Sequence, residues 1–164
     1  MTERASLKAD QLEALRRFEE LLEVEGVHAA LAFLNARTGH RFTGIYRFDP
    51  PILRNVHIYD RTNPTLEVTD DAPLRETYCS VVGSTGAPFA TADSQADERL
   101  REHPARASTL SYCGVPLHTS DGTHFGTLCH FDLAPRTIRE SEIAVMERAG
   151  ARLMGRLETG PGRR

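Results

Sequence analysis

The sequence predicts an α+β domain: an antiparallel sheet with helices packed on it. Three observations carry this prediction. Apolar residues recur at helical spacing at both ends of the chain. Alternating runs rich in β-branched and aromatic residues fill the middle. Most of those runs are joined by turns or short connections rather than by the long crossovers that parallel strands need. A length of 164 residues fits one compact domain.

The elements follow in order. Leu12, Leu15, Phe18, Leu21 and Leu22 mark a first helix, with Asp10 as its N-cap and Gly26 as its stop. Val27, Ala30, Leu31 and Leu34 mark a second, with Gly39 as its C-cap. The period then changes. Phe42, Ile45 and Phe48 belong to a strand, and Asp49-Pro50-Pro51 to a turn, because proline has no N–H to give a ladder. In the next strand Ile52, Arg54, Val56 and Ile58 should point one way, and Leu53, Asn55, His57 and Tyr59 the other. Residues 61–74 read as irregular. A short helix is expected over RETYCSVVGSTG and a short strand over PFATAD. The segment SQADERLREHPARA is polar and helix-prone, broken by Pro104. LSYCGVPLHTSDGTHFGTLCHFD reads as a hairpin, since Asp-Gly suits the positive φ angles of tight turns. The last helix opens on a Thr137–Glu140 capping box and carries Ile143, Met146, Ala149, Leu153 and Leu157 on one face. The tail TGPGRR is expected to fray.

Composition excludes several classes. A formal net charge of −3 and the lack of a clustered basic face argue against nucleic-acid binding. No run approaches the roughly 20 apolar residues of a membrane helix. The charged N-terminus lacks the apolar stretch of a secretory signal, so the expectation is a cytoplasmic protein. Cys79, Cys113 and Cys129 form no CxxC pair, which argues against a local zinc or dithiol motif and for reduced thiols.

Tyr112-Cys113-Gly114-Val115-Pro116-Leu117, Asp121-Gly122, Phe125-Gly126-Thr127-Leu128-Cys129, Asp132 and Pro135-Arg136 follow a recurring pattern. Tyr78-Cys79, Thr85-Gly86 and Ala92-Asp93 precede it. Together these resemble the GAF domain family over about residues 20–157. The segment 1–19 then reads as an added N-terminal helix and possible dimer element, and 158–164 as a disordered tail. The resemblance implies a six-stranded antiparallel sheet. Terminal helices cover one face, and short helices and loops build a ligand pocket on the other. It implies a signal-transduction role as a small-molecule sensor, often dimeric, but names no ligand.

If Asp121 and Gly122 are the two turn residues, Cys113 pairs with His130, Val115 with Leu128 and Leu117 with Gly126, all on one face. Tyr112, Phe125, Thr127, Cys129 and Phe131 share the other. The hairpin resembles that of phytochrome-type GAF domains, where a histidine at the position of His130 faces the pocket. Cys113, Val115, Leu128 and His130 are therefore expected to line it. The competing reading of His130 is a histidine bonded to backbone or to Asp132. Cys79 lies on the helix that lines GAF pockets, as nucleophile or as small buried hydrophobe. Tyr78, His103, Asp93 and Asp132 complete the candidate ligand-binding set, although Asp93 also reads as a cap. Cys129-His130 falls on a strand rather than a pocket helix, which argues against a covalent bilin. No metal spacing is present.

Three functions compete. The first is a ligand-binding sensor acting on a partner protein or within a homodimer. The second is a thiol enzyme resembling free methionine-(R)-sulfoxide reductase, with Cys79 as nucleophile, although the segment between helix and hairpin lacks that family's cysteines. The third is a dimer module pairing through its terminal helices with no ligand.

Overall fold

A computed structural model describes residues 7–159. The tail predicted to fray lies mostly outside these residues, as does the start of the N-terminal segment. The order is α1 (Ala9–Val24), α2 (Val27–Asn35), β1 (Phe42–Asp49), β2 (Ile52–Asp60), β3 (Ala72–Pro73), α3 (Cys79–Thr85), β4 (Phe89–Thr91), β5 (Ser111–His118), β6 (His124–Asp132) and α4 (Glu140–Thr159). The strands form one six-stranded antiparallel sheet in the order β3-β2-β1-β6-β5-β4.

The sheet separates two cores. On one face, Leu15, Phe18 and Leu22 of α1, Ala30, Leu31 and Leu34 of α2, and Val145, Met146, Ala149 and Leu153 of α4 pack on Ile45, Val115, Leu117 and Leu128. Leu12 of the predicted stripe stays half exposed instead. α1 runs unbroken past residues 19 and 20 and feeds this same core. On the other face, α3 and the loops cover Tyr46, Leu53, Tyr112 and Cys129.

Several local expectations change for identifiable reasons. Lys8, not Asp10, caps α1, and its backbone N–H donates to Gln11 Oε1 at 2.7 Å. Gly26 (φ 102°) both stops α1 and caps the start of α2, a conformation that suits a residue without Cβ. α2 ends at Asn35 rather than near Gly39. There the Asn35 amide donates to the His40 carbonyl (3.0 Å) and to Thr43 Oγ1 (2.9 Å), while Arg61 binds the Asn35 carbonyl (2.7 Å). α4 begins after Arg139, whose carbonyl accepts from Ile143 N at 3.3 Å, so Thr137 is not the cap.

In β2 a bulge shifts the register between Ile45↔His57 and Tyr46↔Asn55. It breaks the predicted alternation at Val56, so Leu53 and His57 end on opposite faces. Residues 94–107 form three short 3₁₀ turns capped by Asp93, Asp97 and His103, side chains that compete with a continuous helix. The hairpin keeps the predicted pairs Cys113↔His130, Val115↔Leu128 and Leu117↔Gly126. Its turn is longer than predicted. Only Gly122 is left-handed (φ 88°), and Thr119 N donates to the Thr123 carbonyl at 2.9 Å.

Candidate functional site

β1, β5 and β6 present Tyr46, Tyr112, Cys129 and Phe131 away from the terminal helices, toward α3 and the segment 70–78. Between them lies a cavity of about 120 Å³. Leu53, Ala72, Thr77, Tyr78, Cys79 and Thr109 complete the walls, and the exposed carboxylates Asp70 and Glu76 stand at its rim.

The floor is a hydrogen-bonded cluster. Tyr112 Oη donates to Cys79 Sγ at 3.3 Å, and Cys79 Sγ lies 3.1 Å from Thr127 Oγ1. Cys129, two residues beyond Thr127 on β6, lines the same cavity as Cys79. Burial works against a Cys79 thiolate, but the bonds from Cys129, Thr127, Tyr112 and Thr77 outweigh it and hold this thiol below its ordinary pKa. Burial first, then the bond to Cys79, pushes Cys129 well upward. Burial also raises Tyr46 and Tyr112, keeping both phenols protonated. Tyr78 closes one side. Its hydroxyl donates to the Thr109 carbonyl (3.0 Å) and its ring packs edge-on to Tyr112 at 5.5 Å.

Of the residues predicted from sequence, Tyr78 and Cys79 line this cavity. Cys113, Val115, Leu128 and His130 do not, and the expectation that they face the pocket is overturned. Cys113 Sγ lies 3.8 Å from Met146 Sδ of α4, and burial pushes its thiol up to about 12. His130 stacks on His40 and bonds Thr43 Oγ1 through Nδ1 at 2.7 Å, beneath α2. The predicted pairing was right, but the face was wrong. Val115, Leu117 and Leu128 form the most apolar stripe of the hairpin and must meet the larger core under α1 and α4. Cys113 and His130 lie in phase with that stripe and go with it.

The other predicted positions are structural or peripheral. Asp93 caps a 3₁₀ turn, accepting from Gln95 N at 3.1 Å. His103 accepts from Ala105 N at 3.0 Å and packs behind Tyr78, its ring 4.7 Å away. Asp132 accepts from Arg41 N (2.9 Å) and Arg136 Nε (2.9 Å), closing the turn after β6. Burial alone would raise this carboxyl, but Arg136 and the backbone N–H groups of Leu133 and Arg41 hold it below its usual range. Sequence reasoning missed Cys129 and Tyr46 as cavity residues. The signal available was the opposite phase of the hairpin, where Tyr112, Thr127 and Cys129 alternate with the apolar stripe. Among the described residues no group of three or more metal-ligating side chains converges, and no helix is long and apolar enough to cross a membrane.

The chain is 31% identical over 91 residues to a cyclic di-GMP phosphodiesterase of Pseudomonas aeruginosa. The match covers 53% of this chain but only 16% of that relative. Among solved structures, a free methionine-R-sulfoxide reductase from Neisseria meningitidis, determined with its substrate, superposes with a TM-score of 0.68 at 21% identity, covering 93% of each chain. The GAF domain of an Acinetobacter phosphoenolpyruvate-protein phosphotransferase gives a TM-score of 0.67 at 19% identity, covering 91% of this chain and 93% of that one. Similarity at these identities shows a shared fold. The GAF domain family model matches residues 13–157. With most of its length matched by that model, and with the curled six-stranded sheet in place, the chain belongs to the GAF domain family.

Proposed function

We propose that this GAF domain is a small-molecule sensor that holds an uncharged or cationic ligand in the cavity above Cys129. The observation that carries this reading is the cavity itself. Its walls are aromatic, its floor offers hydroxyls and thiols, and its charged lining residues, Asp70 and Glu76, are both acidic. Two carboxylates at a rim disfavour an anion by Coulomb repulsion. At about 120 Å³ the space is smaller than the roughly 300–1,000 Å³ of pockets for drug-sized ligands, so the ligand has few heavy atoms. In the same reading, α1 and α4 pair two copies of the chain, and a separate signalling protein receives the response.

Native mass spectrometry of protein purified from its own host, compared with a denatured run, tests this directly. A discrete added mass that is lost on denaturation is expected. It should vanish in Ala72→Phe, which fills the cavity from its edge. A bare native mass, together with no thermal stabilisation across a panel of small neutral and cationic metabolites, would overturn the reading.

A second reading, a thiol enzyme acting on free methionine sulfoxide, is favoured by one observation. Cys79 has a partner thiol, Cys129, in the same cavity, whereas Cys113 lies across the sheet. A turnover assay on the wild type and Cys79→Ser tests it, and this reading ends if the wild type shows no turnover.

A further inference from the structure

We propose that Cys79 and Cys129 form a peroxide-reactive dithiol that closes to a disulfide when a small uncharged hydroperoxide enters the cavity. The two residues lie 50 positions apart, on α3 and β6, and the fold alone brings them together. Both side chains line the same small cavity, and Cys79 Sγ lies 3.1 Å from Thr127 Oγ1, two residues before Cys129 on the same strand. The cavity admits a solute of a few atoms, and hydrogen peroxide has two heavy atoms and no charge. The acidic rim and the small volume keep out a bulky anionic thiol. An oxidised Cys79 is therefore resolved by the second thiol that lines the same cavity.

The two sulfurs are unequal. Tyr112 Oη and Thr127 Oγ1 both contact Cys79 Sγ, so Cys79 is the sulfur best able to carry negative charge and attack. In the first step Cys79 Sγ attacks one peroxide oxygen and the O–O bond breaks. The departing hydroxide takes the proton of the Cys79 thiol and leaves as water, and Cys79 becomes a sulfenic acid. In the second step Cys129 Sγ attacks Cys79 Sγ and the S–O bond breaks. A second water leaves with the Cys129 proton. The thiols lose two hydrogens and two electrons, and the peroxide is reduced to two waters. Cys113 is an internal control, held across the sheet against Met146 and away from the cavity.

This proposal shares the cavity with the ligand reading but needs no ligand. The test treats the full-length reduced protein with one equivalent of hydrogen peroxide, denatures it, counts free thiols and maps the peptides. The chain has three free cysteines, Cys79, Cys113 and Cys129, so the count should fall from three to one. A Cys79–Cys129 linked peptide lighter by two hydrogens should appear, with Cys113 unmodified. Cys129→Ser should instead leave Cys79 as a sulfenic acid that a carbon nucleophile traps. Three unreacted thiols, oxygen added to Cys79 with no cross-link in the wild type, or a link through Cys113 would each overturn the proposal. The wild-type measurement decides the matter even if the variant does not fold. Bound ligand with three unreacted thiols would sink the dithiol alone, and cross-linking in a protein with no ligand would sink the ligand reading alone.

Discussion

His40 and His130 stack at 5.8 Å between ring centroids with no exposed surface on either. Burial is the main force on both and favours the neutral rings, lowering His40 to about 4 and His130 to about 3. Among the described residues their Nε2 atoms have no hydrogen-bond partner. In the unfolded chain each titrates near 6.5, so the unfolded state binds protons that the folded state refuses. Stability is therefore full above about pH 6.5 and falls as the pH drops toward 4 and then 3. At pH 5 the loss should be about 2 kcal/mol per histidine. Urea unfolding at pH 7.5 and pH 5 measures it, and His130→Gln should reduce the slope. An unfolding free energy that does not change over this range would refute the assignment. The same residues show what a sequence reveals at this scale. Tyr78 and Cys79 were legible because they stand together at the start of one short helix, as its N-cap and first residue. His130 was not, because period-two alternation gives two faces without saying which is inside a pocket and which under a helix. The apolarity of Val115, Leu117 and Leu128 held that answer.

At the scale of elements, β1 and β6 approach each other where one side chain is missing. A Cβ on Gly126 would lie 1.7 Å from the Tyr46 carbonyl oxygen, a backbone atom that can retreat only if the strand does. Gly126→Ala should therefore cost on the order of 3 kcal/mol, read as a lower urea midpoint with an unchanged slope. The exposed α4 position Gly155, where an added Cβ meets nothing within 4 Å, should instead gain up to about 1 kcal/mol on Gly155→Ala. Equal effects at the two positions would show that the strand approach is not the cause. Most elements were legible because their hydrophobic periods are strong, as in α1, α4 and the hairpin. Three features were not: the β2 bulge at Val56, the early end of α2, and the 3₁₀ turns at 94–107. Each is set by contacts distant in sequence or by side-chain caps. Arg61 and Thr43 reach Asn35 from other elements, and no local pattern announces them.

At the scale of the whole molecule, α1 and α4 lie together over the sheet and are tied by Arg156, which donates to the Leu22 carbonyl at 2.6 Å, and by the Arg152–Glu19 ion pair. Outside this contact α1 leaves Leu12 50% and Val24 76% exposed. The proposed pairing of two copies predicts a dimer in sedimentation velocity at micromolar concentration, converted to monomer by Leu12→Glu with its circular dichroism unchanged. A wild type that sediments as a monomer at every concentration would remove the pairing. The α+β class and most of the order of elements were readable from the chain, because they rest on its length and its periods, but the short edge strand β3 lies in the stretch that reads as irregular. The contents of the pocket were not, because its lining is gathered from β1, β2, β3, β5, β6, α3 and the loops before α3 and β5.

β6 serves both cores with alternate residues. Cys129 lines the cavity and Thr127 contacts Cys79 behind it, while Leu128 and His130, on the other face, meet the core of the terminal helices. The partition between the two compartments is thus a single backbone thick. Close-packed interiors give little room for one side to yield alone. Whatever tilts Cys129, whether a seated guest or a new sulfur–sulfur bond, also moves Leu128 and the core shared with α4.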